Sequence, residues 1–179
     1  MLSPIGLSVA EVSASLTSAR SGVAMIEAAP LQKRFPAGII KQTFDDRFTK
    51  LELPYLDRCQ QLAILAARDA IHDAGLDSFA NYGQRAGIYY GNVAGGKVTE
   101  QAWYQQLLVD SKHASRPFTA MAIMHNGGAA QISIRHQVLG PVVTHGSACS
   151  ASSIAIGEAM RAIRDGYLDI AVAEVPKRR

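Results

Sequence analysis

The run His145-Gly146-Ser147-Ala148-Cys149-Ser150 sets a cysteine among residues small enough for a sharp turn. The apolar stretch Val142-Val143-Thr144 precedes it and a helical pattern beginning at Ala151 follows it. Cys149 therefore falls just before a helix's first turn, where free backbone amides and the helix dipole favour a thiolate. Gly146, Ser147, Ala148 and Ala151 leave room for a substrate to approach closely. This is the cysteine counterpart of a nucleophile elbow, and its chemistry would be covalent catalysis. The competing reading is a cysteine packed in the core, which is where free cysteines are commonly found. The chain's other cysteine, Cys59, lies on a helical apolar stripe and is read as core.

A second candidate is Gly91-Asn92-Val93-Ala94-Gly95-Gly96-Lys97, between a strand and a helix. It nearly spells a phosphate-cradling loop, even to the lysine. Val98 follows, however, and valine has no hydroxyl for magnesium. The alternative is a turn that lets backbone approach a ligand or another helix. Among the histidines, His145 lies on the cysteine's own turn and could act as its base, although a histidine satisfied by backbone is commoner. His72 is expected to face solvent, and His113, His125 and His136 have no evident partner.

The elements that must position these turns follow from periodicity. Ser8-Val9-Ala10-Glu11 is a capping box opening a first helix with Val9, Val12 and Leu16 on one face, ended by Gly22. Residues 23–54, with Pro30, Pro36 and Pro54, read as an irregular excursion. A second helix runs from about Asp57 to Ala74 with Cys59, Leu62, Ala63, Ala66, Ala70 and Ala74 as its stripe and Gly75 as its cap. A strand at 86–90 precedes the glycine-rich turn, and a helix from about Val98 to Val109 follows it. Pro117 and Gly140-Pro141 bracket a helical stretch interrupted near Gly127-Gly128. Val142-Val143-Thr144 reads as a buried strand. The helix from about Ala151 to Asp165 is apolar and small on most faces, hence central, and Asp169 to Ala173 is the last strand. Alternating strands and helices give an α/β fold with a largely parallel sheet.

Composition narrows the classes. The chain has 179 residues, 48% of them hydrophobic and 18% charged, which suits one globular domain and not disorder. Lys177, Arg178 and Arg179 account for the whole net charge of +3, so nucleic acid is a poor partner. Two cysteines make no disulfide framework and point to a reducing, cytoplasmic setting. No metal-ligand spacing occurs. Met1-Leu2-Ser3-Pro4 is unlike a signal peptide, and the uncharged stretch His136 to Gly157 is broken by Gly140-Pro141 and serines, so no membrane span is expected.

The stretch from Gly140 through Ser153, then Ile156-Gly157-Glu158-Ala159 and Gly166 to Ala173, resembles the nucleophile region of β-ketoacyl-acyl carrier protein synthases. Upstream pieces agree in order. Ser3-Pro4-Ile5-Gly6 is similar to the turn after that family's first strand, and Asp57-Arg58 to its Met-Asp-Arg helix start. Gly91 to Gly96 is similar to its Gly-Ser-Gly-x-Gly-Gly turn, and Asn126 is spaced from Cys149 as in the family. The resemblance covers roughly residues 2–173. Residues 1–179 thus read as a partial β-ketoacyl synthase N-terminal domain, with 174–179 a non-matching basic tail. The expected fold is the N-terminal half of a thiolase-like layered α/β structure, without its first strand and its C-terminal half.

The resemblance implies that Cys149 takes an acyl chain as a thioester and that a carbanion from malonyl-carrier protein then attacks it. It implies Ala94 and Ser150 as substrate-binding residues, Ala94 gating the acyl pocket. No bound cofactor is implied, since substrates ride on the phosphopantetheine of acyl carrier protein. The implied partners are that carrier protein and a second ketosynthase-like subunit, in a homodimer or heterodimer. The family's two active-site histidines and lysine belong to the half not matched here, so this chain alone is expected to condense poorly. Gly146-Ser147-Ala148-Cys149 departs from the Asp-Thr-Ala-Cys of modular polyketide synthases. That favours a discrete enzyme of fatty acid, type II polyketide or aryl polyene-like synthesis, and the presence of Cys149 argues against a chain-length factor. Two other readings stand beside this one: a truncated relic serving as a dimerisation or carrier-protein docking module, and a magnesium-ATP binder relying on Lys97.

Overall fold

In a computed structural model of the chain, residues 2–28, 33–111 and 118–174 are described. They divide into two compact units, one within residues 1–44 and one within 45–176.

The first unit carries helix α1 (Val9–Thr17) and an antiparallel hairpin of β1 (Val23–Ala28) and β2 (Lys33–Gly38). Ser8 caps α1 by accepting from the Glu11 N–H at 3.1 Å, but the Glu11 carboxylate reaches past Ser8 to the Leu7 N–H at 2.7 Å. The capping box is thus half formed. The apolar face expected on α1 is not its packed face, since Val9 and Leu16 are both 67% exposed. Buried Ser15 anchors the helix, its hydroxyl donating to the Ile5 carbonyl at 2.6 Å. The hairpin replaces the irregular excursion expected over its residues. Pro36 sits in β2 opposite Met25, and a two-stranded ribbon tolerates proline because every strand in it is an edge.

The second unit is a three-layer arrangement around a parallel sheet ordered β4–β3–β5, with β3 Ala86–Gly91, β4 Val142–His145 and β5 Ile170–Glu174. Helices α2 (Arg58–Asp73) and α5 (Gly127–His136) cover one face, where Ala63, Ala67 and Ile71 meet Ile88, Tyr90 and Ile132 in one core. Helix α6 (Ala151–Arg164) covers the other face and crosses β3 between β4 and β5. Helices α3 (Lys97–Tyr104), continued by a π turn over Gln105–Val109, and α4 (Thr119–Ile123) complete the unit.

Helix α2 begins and ends as the sequence predicts, with Asp57 as cap and Gly75 in the left-handed region at φ 69°. Its packed face keeps Ala63 of the expected stripe but is otherwise displaced from it. Gln60, Ile64, Ala67 and Ile71 point inward, whereas Ala70 and Ala74 are exposed. Two further expectations fail on burial, not on type. Val142 and Val143 of β4 are exposed, because β4 is the sheet's edge. Helix α6 buries only Ala151, Ala155 and Ala159, leaving Ile156 and Met160 more than half exposed. Pro117, His113 and the tail from 175 lie outside the described residues.

Candidate active site

Parallel strands place their functional loops at their carboxyl ends, where successive connections diverge to opposite sides of a strand. Here that point is the end of β3. The chain leaves β3 for β4 on one side and returns through α6 to β5 on the other. Gly91, the last residue of β3, pairs in register with His145, the last of β4, so the glycine-rich turn and the cysteine turn leave the sheet side by side.

The cysteine turn is short and tightly wound. Ala148, Cys149 and Ser150 form a single 3-10 turn that runs directly into α6. Ala148 has φ 48°, in the left-handed region that costs a residue with a Cβ. Such strain persists only where surrounding structure holds it, and it clusters at functional turns. The Ala148 N–H donates to the Gly146 carbonyl at 2.9 Å and the Ser150 N–H to the Ser147 carbonyl at 3.1 Å. The Ser150 hydroxyl also donates to the Ser147 carbonyl, at 2.7 Å. Residues 146–150 are all exposed, so Cys149 is a surface thiol and not the core cysteine of the competing reading.

What holds α6 beneath this turn is the absence of a side chain on β3. A Cβ on Gly91 would stand 2.8 Å from the Ala151 carbonyl carbon and from the Ser152 nitrogen. The helix start therefore rests directly on the end of the central strand. Next to it, Asn92 is 4% exposed; its N–H donates to the His145 carbonyl at 3.0 Å and its Nδ2 to the His125 carbonyl at 2.9 Å. Asn126, the residue after His125, occupies the N-cap position of α5 without a side-chain capping bond.

The rest of the glycine-rich turn is packed against α4. Cβ atoms on Gly95 and Gly96 would lie 2.0 Å from the carbonyl oxygens of Ile123 and Ala122, and the Gly96 N–H donates to Ile123 at 3.0 Å. A phosphate cradle needs amides free to face a ligand; this turn presses its backbone on a helix instead. Lys97 is ion-paired with Glu100. Ala94 is half-buried on this turn.

Against the glycine-rich turn lies a polar clamp whose role in joining helices the sequence reading did not single out. Asp57, 2% exposed, caps two helices with one carboxylate: Oδ1 accepts from the Cys59 N–H at 2.9 Å and Oδ2 from the Thr99 N–H at 2.7 Å. Buried Gln60 donates through Nε2 to the Met121 and Ala122 carbonyls at 3.1 and 3.3 Å. Cys59 is half-buried and its thiol donates to the Gly95 carbonyl, a structural use. The signal was there in Asp57 and Gln60, a capping pair, but not their reach to α3 and α4.

His145 stacks on Tyr89 with ring centroids 6.3 Å apart, and its buried Nε2 has no hydrogen-bond partner among the described residues. No hydrogen bond joins it to Cys149, so the structure does not assemble the two as a base and nucleophile pair. His136 is held below the usual histidine range by burial and then by the neighbouring Arg135 charge. His72 is exposed, as expected.

The family model described as "Beta-ketoacyl synthase, N-terminal domain" matches residues 1–174. The 3-oxoacyl-[acyl-carrier-protein] synthase 2 of Staphylococcus aureus is 29% identical over 171 residues, covering 94% of this chain and 42% of that protein. The ishigamide ketosynthase/chain length factor superposes with a TM-score of 0.82 at 27% identity, covering 97% of this chain and 44% of that one. A type II polyketide synthase acyl carrier protein in complex with its ketosynthase gives a TM-score of 0.78 at 18% identity, a likeness of fold over 97% of this chain and 47% of that one. The chain spans less than half the length of these relatives. The family model covers nearly the whole chain, and the chain belongs to the β-ketoacyl synthase family by its N-terminal domain.

Proposed function

We propose that this chain carries the acyl-accepting half of a β-ketoacyl-acyl carrier protein synthase, with Cys149 as nucleophile. The observation that carries the reading is an exposed thiol on a strained turn, at the carboxyl end of a parallel strand, with α6 seated on Gly91 behind it. The Cys149 sulfur attacks the thioester carbonyl of an acyl group on acyl carrier protein. A carbon–sulfur bond forms, the carbonyl oxygen takes up negative charge, and collapse expels the carrier's phosphopantetheine thiol with the proton the cysteine gave up. The Cys149 amide lies between two amides committed to the turn itself, and it is the proposed donor to the developing oxyanion. In the second half-reaction a malonyl group on carrier protein loses carbon dioxide, and its carbanion attacks the acyl carbon and frees Cys149.

Fatty acid synthesis or type II polyketide synthesis is the setting, in line with the relatives named above. The proposed partners are acyl carrier protein and a ketosynthase-like subunit, as a homodimer or heterodimer, in a cytoplasmic setting. Among the described residues no helix is long and apolar enough to cross a membrane. Ala94 and Ser150 are the proposed substrate-contacting positions, and the small side chain of Ala94 leaves room for a long or bulky acyl group. The test is intact mass after exposure to an acyl-carrier-protein thioester. One acyl adduct in the wild type and none in Cys149→Ala supports the reading. Equal adducts in both, or none in either, overturns it for this chain.

A further inference from the structure

We infer that Asn92 is a positioning residue for Cys149, the strut that ties the cysteine turn to the loop ahead of α5. The inference rests on the acyl-transfer reading above but makes a separate claim about rigidity. A buried amide side chain is costly unless it is paired, and this one is paired to a backbone carbonyl in another loop. Its Nδ2 donates to the His125 carbonyl at 2.9 Å, while its own N–H donates to the His145 carbonyl at 3.0 Å. That second bond carries the β3–β4 ladder one residue beyond the Gly91–His145 pair. One residue therefore fixes the first position of the cysteine turn with its backbone and a third loop with its side chain.

Three neighbouring facts give the strut its purpose. Ala148 holds a positive φ, which an unsupported turn would relax. Gly146 has only the Asn92 carbonyl oxygen near its missing Cβ, at 3.9 Å, so packing alone does not clamp it. The other face of the site, the start of α6, is clamped by Gly91, the residue beside Asn92.

The experiment compares wild type, Asn92→Ala and a control, Ile132→Val, which opens the buried core away from the turn. Two readouts separate positioning from general loosening. Amide order parameters of Ala148 and Ser150 are expected to fall in Asn92→Ala from the rigid range, about 0.85, to below about 0.6, and to stay rigid in the control. Acyl transfer to Cys149 is expected to slow at least tenfold, while alkylation by iodoacetamide, which develops no carbonyl oxyanion, stays within about twofold. A turn that stays rigid without Asn92, or that loosens equally in Ile132→Val, overturns the inference. So does an equal loss of both reactions. Should the wild type accept no acyl group, the synthase reading fails alone and the order parameters decide the role of Asn92.

Discussion

At the scale of single residues the site depends on a missing atom. Gly91 ends the central strand where the α6 backbone passes within 2.8 Å of its would-be Cβ. Gly91→Ala is expected to push the start of α6 outward, costing about 1–3 kcal/mol by overpacking and suppressing acyl transfer to Cys149. Gly157, inside the same helix, has open space at its Cβ. Gly157→Ala should be neutral or stabilising by up to about 1 kcal/mol, since alanine favours helix. Urea midpoints and acylation rates of the pair check this, and equal behaviour of the two variants would contradict it. Cys149, its turn and the small residues around it were legible from the sequence because turn chemistry is local. Asn92 and Ser15 were not, because a buried polar residue declares itself only through a partner distant in sequence.

At the scale of elements, one carboxylate does the work of two caps. Asp57 satisfies an amide at the start of α2 and another at the start of α3. Asp57→Ala orphans both, a cost of about 3 kcal/mol, which should lower Tm by roughly 6–12 °C in a chain of this size. Thermal unfolding checks it; a loss no larger than that of one exposed cap, about 1 kcal/mol, would show that Thr99 finds another acceptor. Element types and bounds in the second unit were read well, since Gly75, Gly91 and Gly140-Pro141 punctuate them. Faces were read poorly. Apolar periodicity placed Ala63 correctly in the packed face of α2 but also chose Ala70 and Ala74, which are exposed, and passed over Gln60, which turns inward to donate to the α4 carbonyls. The pairing of β1 with β2 was missed because Pro30 and Pro36 in the sequence argue for loop and the pairing is set by contacts within the ribbon, not by alternation.

At the scale of the whole molecule, apolar surface lies open on β4 and α6, in a chain that spans less than half the length of its relatives. Stability should fall on acidification. Hydrogen bonds from the Thr49 backbone and hydroxyl, with Arg135 beside it, hold Glu52 below the usual carboxylate range; Arg85 does the same for Asp169 and Arg164 for Asp165. Each carboxylate's contribution is complete above its unfolded value, about 4, and fades as pH falls through its lower folded value. The two exposed aspartates add little. Burial disfavours the charged form of His136, so its contribution is complete above about 6.5 and also fades downward. Urea midpoints should therefore decline from pH 7 to pH 4 and more steeply below, with a shallower acid limb in Glu52→Gln. A midpoint that rises on acidification would contradict this.

Locating the acyl group tests the proposed role of Cys149. Peptide mass mapping after one exposure to an acyl-carrier-protein thioester should place the adduct on Cys149, with one carrier thiol released per adduct and none on Cys59. An adduct on Cys59, or carrier thiol released without any adduct on Cys149, would contradict the account.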